Sequence, residues 1–162
     1  MTMVERHDRE LRALAYRLLG DRVAMDDVMQ EAYLKAFRGL PAFRGEAQPG
    51  TWLYRIVYNA CLDHLRRERR ATEVPLEAVA EPVDPRDPGD EALERADLAG
   101  ALAALPLEQR AAVMLVDAGG LSYEQAAEVL SVPPGTVASR LNHARSALRA
   151  TLIEGRGNGT LR

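Results

Sequence analysis

The chain predicts an all-α fold built as two small helical domains, and three observations carry that expectation. It is 47% hydrophobic but only 5% aromatic and rich in Ala, Leu and Arg, a composition that favours helices packed through aliphatic contacts over a sheet. Apolar residues recur at i, i+3, i+4 and i+7 along most of its 162 residues. Between Ala71 and Asp90 the segment ATEVPLEAVAEPVDPRDPGD, with its prolines and acids, cannot bury a core and reads as a flexible acidic linker. The boundaries predicted are a first domain over 1–70, the linker over 71–90, a second domain over 91–154 and a disordered tail over 155–162.

The first helix is announced by Leu11, Leu14, Ala15, Leu18 and Leu19, with Gly20 as its stop. A second spans about Val23 to Phe37, with Met25, Val28, Met29, Ala32, Ala36 and Phe37 as its apolar stripe; Asp26, Asp27, Gln30, Glu31 and Lys35 lie on the other face. Gly39 and Pro41 end it, and GLPAFRGEAQPG, residues 39–50, is a loop. Thr51 offers an N-cap for a long helix from Trp52 to about Arg70, burying Leu53, Ile56, Val57, Ala60 and Leu65 and ending in RRERR.

Helix resumes near Glu91 through Leu93, Leu98, Leu102 and Leu105, and Pro106 opens a further helix that Gly119 and Gly120 break. Ser122 with Gln125 matches a capping box for the helix SYEQAAEVL. SVPPG turns the chain, and Thr136 is positioned to cap a last helix to about Ile153, with Val137, Leu141, Ala144 and Leu148 inward.

The net charge of -3 conceals segregation: residues 51–70 carry five Arg against two acids, residues 71–97 nine acids against two Arg, and residues 131–162 come to +4. Surface charges are screened over roughly 8 Å at physiological salt, so a local basic patch grips phosphates even on an acidic chain. A single cysteine, Cys61, excludes an internal disulfide and fits a reducing cytoplasm. The amino terminus is charged from its fifth residue and no apolar run approaches the roughly 18 residues needed to span a bilayer, so no membrane insertion is expected.

Two regions carry candidate chemistry. The two short helices around SVPPG have the rhythm of a helix-turn-helix, whose second helix enters the major groove. Outward positions Thr136, Ala138, Ser139, Arg140, Asn142 and His143 are then candidates for base edges, and Arg145 and Arg149 for phosphates. A plain helical hairpin shares that geometry; the two caps and the short turn weigh against it. The second region, FRGEAQPGTWLYRIVYNACLDHLRRERR, suits unstacked or single-stranded bases: aromatics and loop backbone hold them, Asn gives hydrogen bonds and Arg tracks phosphates. Against this, Trp52 could be core, and an Arg run ending a helix could merely complement its dipole. Asp26, Asp27 and Glu31 read as a solvated face or a docking face for a basic partner, not a metal site, and His7, His64 and His143 fall on separate segments. No nucleotide loop or nucleophile elbow occurs, so neither catalysis, metal, cofactor nor small-molecule substrate is expected.

DDVMQEAYLKAFRGLPAFRG followed by TWLYRIVYNACLDHLRR, and later GLSYEQAAEVLSVPPGTVASRLNHARSALR, resemble regions 2 and 4 of the extracytoplasmic-function sigma factors of bacterial RNA polymerase. The resemblance runs from about Leu11 to Leu152. It implies a subunit of core RNA polymerase that contacts the beta-prime and beta subunits, with Asp26, Asp27, Gln30 and Glu31 docking on the beta-prime coiled coil. It implies that Phe43, Arg44, Gly45, Trp52, Arg55, Asn59, Arg66 and Arg67 handle a flipped base and the strands of the minus-10 element. Thr136, Ser139, Arg140, Asn142, His143 and Arg145 would read the minus-35 element. Ala138 departs from the family's usual Lys or Arg. An anti-sigma factor is implied as a second partner, and polymerase explains how an acidic chain handles DNA. Read without the resemblance, a stand-alone helix-turn-helix regulator is the alternative.

Overall fold

The structure, a computed structural model, describes residues 2–45, 47–71 and 90–158. Among these residues the regular elements are all helical. Helix α1, Met3–Leu19, begins at a capping box in which the Thr2 side chain accepts from the Glu5 N–H and the Glu5 carboxylate accepts from the Thr2 N–H. It ends at Gly20, in the left-handed region at φ 72°, as the sequence predicts. Helix α2, Arg22–Gly39, is capped by Asp21, whose carboxylate accepts from the Val23 N–H at 2.9 Å. One 3-10 turn, Leu40–Ala42, leads into the loop before α3, Pro49–Ala71.

The second half holds α4, Asp90–Ala104; α5, Leu107–Val113, which runs into a π-helical turn at Met114–Ala118; α6, Tyr123–Leu130; and α7, Pro134–Asn158. The Ser122–Gln125 capping box is formed in both directions, and α6 ends at Ser131, left-handed at φ 55°. Most of the linker reading lies outside the described residues, although Ala71 closes α3 and Asp90 opens α4.

Both long helices start earlier than the sequence suggests, and for one reason. Proline lacks the N–H that a first helical residue leaves unbonded and its φ is already helical. Pro49 therefore begins α3, placing Thr51 inside the helix and buried instead of capping it. Pro134 begins α7, and the Pro133 carbonyl accepts from the N–H groups of Thr136 and Val137, so Thr136 sits in the first turn without acting as its cap. The far end of α7 also runs on past Ile153 through residues 155–158; the rest of the expected tail lies outside the described residues.

Helices α1, α2 and α3 pack on one another through Leu11, Leu14, Leu18, Val28, Met29, Leu53 and Val57, and alanines 15, 32, 36 and 60 let the backbones come close. Helix α7 is held by α4, α5 and α6, with Leu102, Leu115, Val129, Val137 and Leu141 buried between them. The two bundles are also in contact: α3 packs on α6 and α1 on α5, and their apolar residues form one continuous core. Several expected core residues differ. Phe37 is 79% exposed, Leu98 is exposed, and Leu65 is only half-buried, while Leu19, Met25, Ile56 and Leu148 are half-buried at the edge of the core. Phe37 lies one residue, about 100° of helix, beyond the buried Ala36, which carries its ring off the packed face.

Cys61 is sealed in this core, and burial pushes its thiol up to about 12. The reactive thiolate is therefore scarce and out of reach at pH 8. Alkylation by iodoacetamide is expected to run at least ~1000-fold slower in the native chain than in denaturant, because it requires opening. Labelling within a fewfold of the unfolded rate would contradict this packing.

Candidate nucleic-acid interface

The packing of α2 against α3 leaves a cleft of about 720 Å³ at their loop end, lined by Lys35, Gly39, Ala42, Phe43, Arg44, Ala47, Trp52, Arg55, Ile56 and Asn59. This is within the range that receives a compact ligand. Its walls are aromatic and its rim is cationic. The rings of Phe43 and Trp52 lie 4.7 Å apart and inclined by 34°, and the Trp52 ring rests on Gly39, where a Cβ would stand 3.3 Å from Cζ2. A side chain at residue 39 would oblige the indole to give by a few tenths of an ångström. Trp52 is thus half-buried, part packing and part cleft wall, which resolves its two sequence readings into one.

Arg55 and Asn59, one turn apart on α3, are exposed beside the aromatic pair. Of the residues expected to act on the minus-10 element, Phe43, Arg44, Trp52, Arg55 and Asn59 converge on this cleft. Gly45, at φ 74° in the adjoining loop, does not line it, nor do Arg66 and Arg67 two turns further along α3. Arg66 lies 3.6 Å from Asp63, and Arg67 donates to Glu31 at 3.1 Å. Lys35, Ala42, Ala47 and Ile56 join the cleft without having been singled out in the sequence; they are brought there by the α2–α3 packing, which no local pattern encodes.

On the outer face of α2 the four acidic and amide positions behave differently. Asp27 and Gln30 are exposed. Asp26 pairs with Arg12 at 3.0 Å, and Arg12 is itself held by Asp8, to which the Tyr33 hydroxyl also donates. Glu31 accepts from Arg67 and pairs with Lys35 at 3.3 Å; the hydrogen bond from Arg67 is the main cause that holds its carboxyl below the usual range. For a carboxylate with a depressed folded value, the stabilisation is complete above the unfolded value of 4.5 and is lost as pH falls through the folded one. The α2–α3 tie is therefore expected to survive mild acid. An amide replacement, Glu31→Gln, should flatten the acid limb of a stability-against-pH curve below about pH 5, and an unchanged limb would contradict the pairing.

Val23, Asp27, Gln30, Leu34 and Phe37 form a continuous exposed stripe on α2 at alternating spacings of four and three. Val23, Leu34 and Phe37 make its ends apolar around a polar middle, and its spacing is the one with which a helix meets a partner helix in a coiled coil.

In the second bundle, α6 and α7 form the helix-turn-helix. Ser139, Asn142 and His143 are exposed on α7, while Thr136 and Ala138 are half-buried. Arg140 lies 3.5 Å from Glu108, and Arg145 donates to both oxygens of Asp117 in the π-helical turn, at 2.6 and 3.1 Å. That bonding to Asp117 is the first cause raising the Arg145 guanidinium above its ordinary value, and it anchors the recognition helix to the turn.

A helix-turn-helix joined to a helical bundle with an aromatic, cation-rimmed cleft defines a DNA-reading protein of two modules. The family model described as Sigma-70 region 2 matches residues 3–71, and that described as Sigma-70, region 4, matches residues 95–148. The chain is similar to the ECF RNA polymerase sigma factor SigM of Mycobacterium tuberculosis, with 41% identity over 93% of this chain and 75% of the relative. It is similar as well to the ECF RNA polymerase sigma-E factor of Escherichia coli, with 34% identity over 90% of this chain and 82% of that one. Among solved structures, the sigma factor RpoE of Bartonella quintana, in complex with the anti-sigma factor NepR, superposes with a TM-score of 0.80 at 30% identity, covering 93% of this chain and 94% of that one. The chain belongs to the ECF sigma factors, the promoter-directing subunits of bacterial RNA polymerase.

Proposed function

We propose that the chain binds core polymerase through the exposed stripe of α2, captures a flipped minus-10 base in the α2–α3 cleft, and reads the minus-35 element with α7. The observation that carries this reading is the cleft: a tilted aromatic pair, an exposed amide and two arginines are the set of groups that an extruded base and its phosphates require. The stripe suits the coiled coil of the beta-prime subunit because its spacing is that of a coiled-coil face, with Val23, Leu34 and Phe37 as apolar contacts beside Asp27 and Gln30. Phosphate contacts from α7 would come first from Arg149, which is exposed, and from Arg145 once Asp117 releases it.

The division into residues 1–70, 71–90 and 91–154 follows from the same reading, with each module serving one promoter element. The chain performs no covalent step; it lowers the cost of opening DNA by binding the unstacked base. It works in the cytoplasm beside polymerase, and among the described residues no helix is long and apolar enough to cross a membrane. Because the similar RpoE was solved with an anti-sigma factor, a regulator of that class is the expected second partner.

The test is run-off transcription from a library of genomic fragments with purified core polymerase. Discrete start sites that depend on the added chain are expected. Transcripts no different from those of core polymerase alone would defeat the proposal.

A further inference from the structure

A helix lying in the major groove meets base edges with its outer face and the two sugar-phosphate walls with its flanks. Helix α7 has this layout. Val137, Leu141 and Ala144 are buried, and the opposite face presents Ser139, Asn142, His143 and Ser146, all exposed in the free chain. At about 100° per residue, Arg140 and Arg145 fall on opposite flanks of that face, about 140° apart. They are the cations placed to grip the walls of the groove.

Neither is unpaired. Arg140 lies 3.5 Å from Glu108 on α5, and Arg145 donates to both oxygens of Asp117. The second pairing is the more closely built. Asp117 sits in the π-helical turn Met114–Ala118, a rare conformation that concentrates at functional sites. The turn closes through the N–H groups of Gly120 and Leu121, which donate to the carbonyls of Val116 and Leu115. Its exit requires glycine at 119, where a Cβ would stand 2.7 Å from the Leu115 carbonyl oxygen. Tyr123, the first residue of α6, lies within reach of the same guanidinium.

This pairing bears on how DNA is held. A carboxylate standing where a phosphate would come both occupies the cation and repels the backbone. The reading face itself carries no Lys or Arg, and Ala138 adds no charge. Arg149, one turn beyond Arg145, has no ion pair among the described residues. Asp117 and Arg145 are each more than a third exposed, so their pair stays open to a competing anion.

We propose that Asp117 is an internal competitor for the DNA backbone: it holds Arg145 so that α7 grips phosphates weakly, and the chain engages promoters only with the added contacts of polymerase. The proposal rests on the reading of α7 as the minus-35 helix. Apparent affinity is reduced by the fraction of molecules in which the binding group is free, so removing the competitor raises it.

The experiment measures binding of the full chain to a duplex of mixed sequence, by anisotropy of a dye on the DNA, between about 50 and 200 mM salt. Asp117→Asn keeps the shape of the side chain and an oxygen that accepts from the guanidinium, but removes the charge. It is expected to bind about 3- to 10-fold more tightly than wild type, with a plot of log affinity against log salt steeper by about 0.9, the increment for one more phosphate contact. Adding Arg145→Gln to Asp117→Asn should abolish that gain. Glu128→Gln removes an exposed carboxylate of α6 that has no ion pair among the described residues, and should stay within about twofold of wild type.

If Asp117 were only a strut for α7, Asp117→Asn would loosen the helix and weaken binding, a change of opposite sign. Weaker or unchanged binding, a gain that survives Arg145→Gln, or an equal gain in Glu128→Gln would overturn the competitor. Ser139→Asp separates that failure from failure of the reading itself, since a carboxylate at the centre of the face should weaken duplex binding at least ~10-fold. Binding that Ser139→Asp leaves unaffected would show that α7 is not the helix that contacts DNA, and the reading would fall together with the proposal.

Discussion

Asn59→Ala is expected to leave closed promoter binding within about twofold of wild type while reducing open complexes about 5- to 150-fold. The argument starts from exposure. Asn59 lies on the surface of α3, so its truncation should move stability by no more than ~0.5 kcal/mol, and any larger effect belongs to what it touches in the complex. Its place beside Trp52 and Arg55 in the cleft makes an extruded base the partner proposed for the amide. A well-placed amide contact to a base contributes ~1–3 kcal/mol, which sets the range. Permanganate reactivity of unpaired thymines on a polymerase-bound promoter reads the opening step directly. A footprint that Asn59→Ala leaves unchanged would remove the base-capture role from the cleft.

Phe37→Asp should weaken binding to core polymerase about 30- to 1000-fold and leave thermal stability nearly unchanged. An aromatic side chain that is 79% exposed contributes little to its own fold, and exposing so large an apolar group is a feature of interaction sites. As the most exposed apolar anchor of the stripe, beside Leu34, its loss should cost the ~2–4 kcal/mol typical of interface hot spots. The alternative placement of Phe37 in the core makes the opposite forecast: truncating a buried Phe costs ~3–5 kcal/mol of stability. Melting curves for Phe37→Ala and Phe37→Asp, measured beside their affinity for core polymerase, separate the two.

Phe37 also shows where the sequence ceases to be legible. Residues 25, 28, 29, 32 and 36 form the packed stripe of α2, and an adjacent Phe is easily added to it by composition alone. The exposed stripe through 23, 27, 30, 34 and 37 has equally good helical periodicity, and only the packing of α1 and α3 reveals which face is covered. Elements governed by local chemistry were readable: the Gly20 stop, the Ser122 capping box and the inward face of α7 at Val137, Leu141 and Ala144 all stand as expected. The two long helices start at Pro49 and Pro134 and not at the hydroxyl residues two positions later, because a proline suits the first helical position.

The candidate DNA surfaces were legible in outline because aromatic, amide and basic residues cluster in sequence as well as in space. What ties them together was not. Glu31 with Arg67, Arg145 with Asp117 and Arg110 with the Arg17 carbonyl join residues separated by 36, 28 and 93 positions, distances at which no local pattern speaks. The acidic total misleads for a related reason, since a net charge of -3 says nothing about the cation-rimmed cleft in which Arg44 and Arg55 meet.

The most direct test of the central claim, that these DNA-reading surfaces act as part of polymerase, is promoter affinity measured at one fixed salt concentration for the chain alone and for the chain with core polymerase. Weak, sequence-indifferent binding is expected of the free chain, in the 10⁻⁴–10⁻⁶ M range of nonspecific contacts, and specific binding at least ~100-fold tighter with core present. Equally tight, sequence-specific binding by the free chain would contradict it and mark a regulator that works on its own.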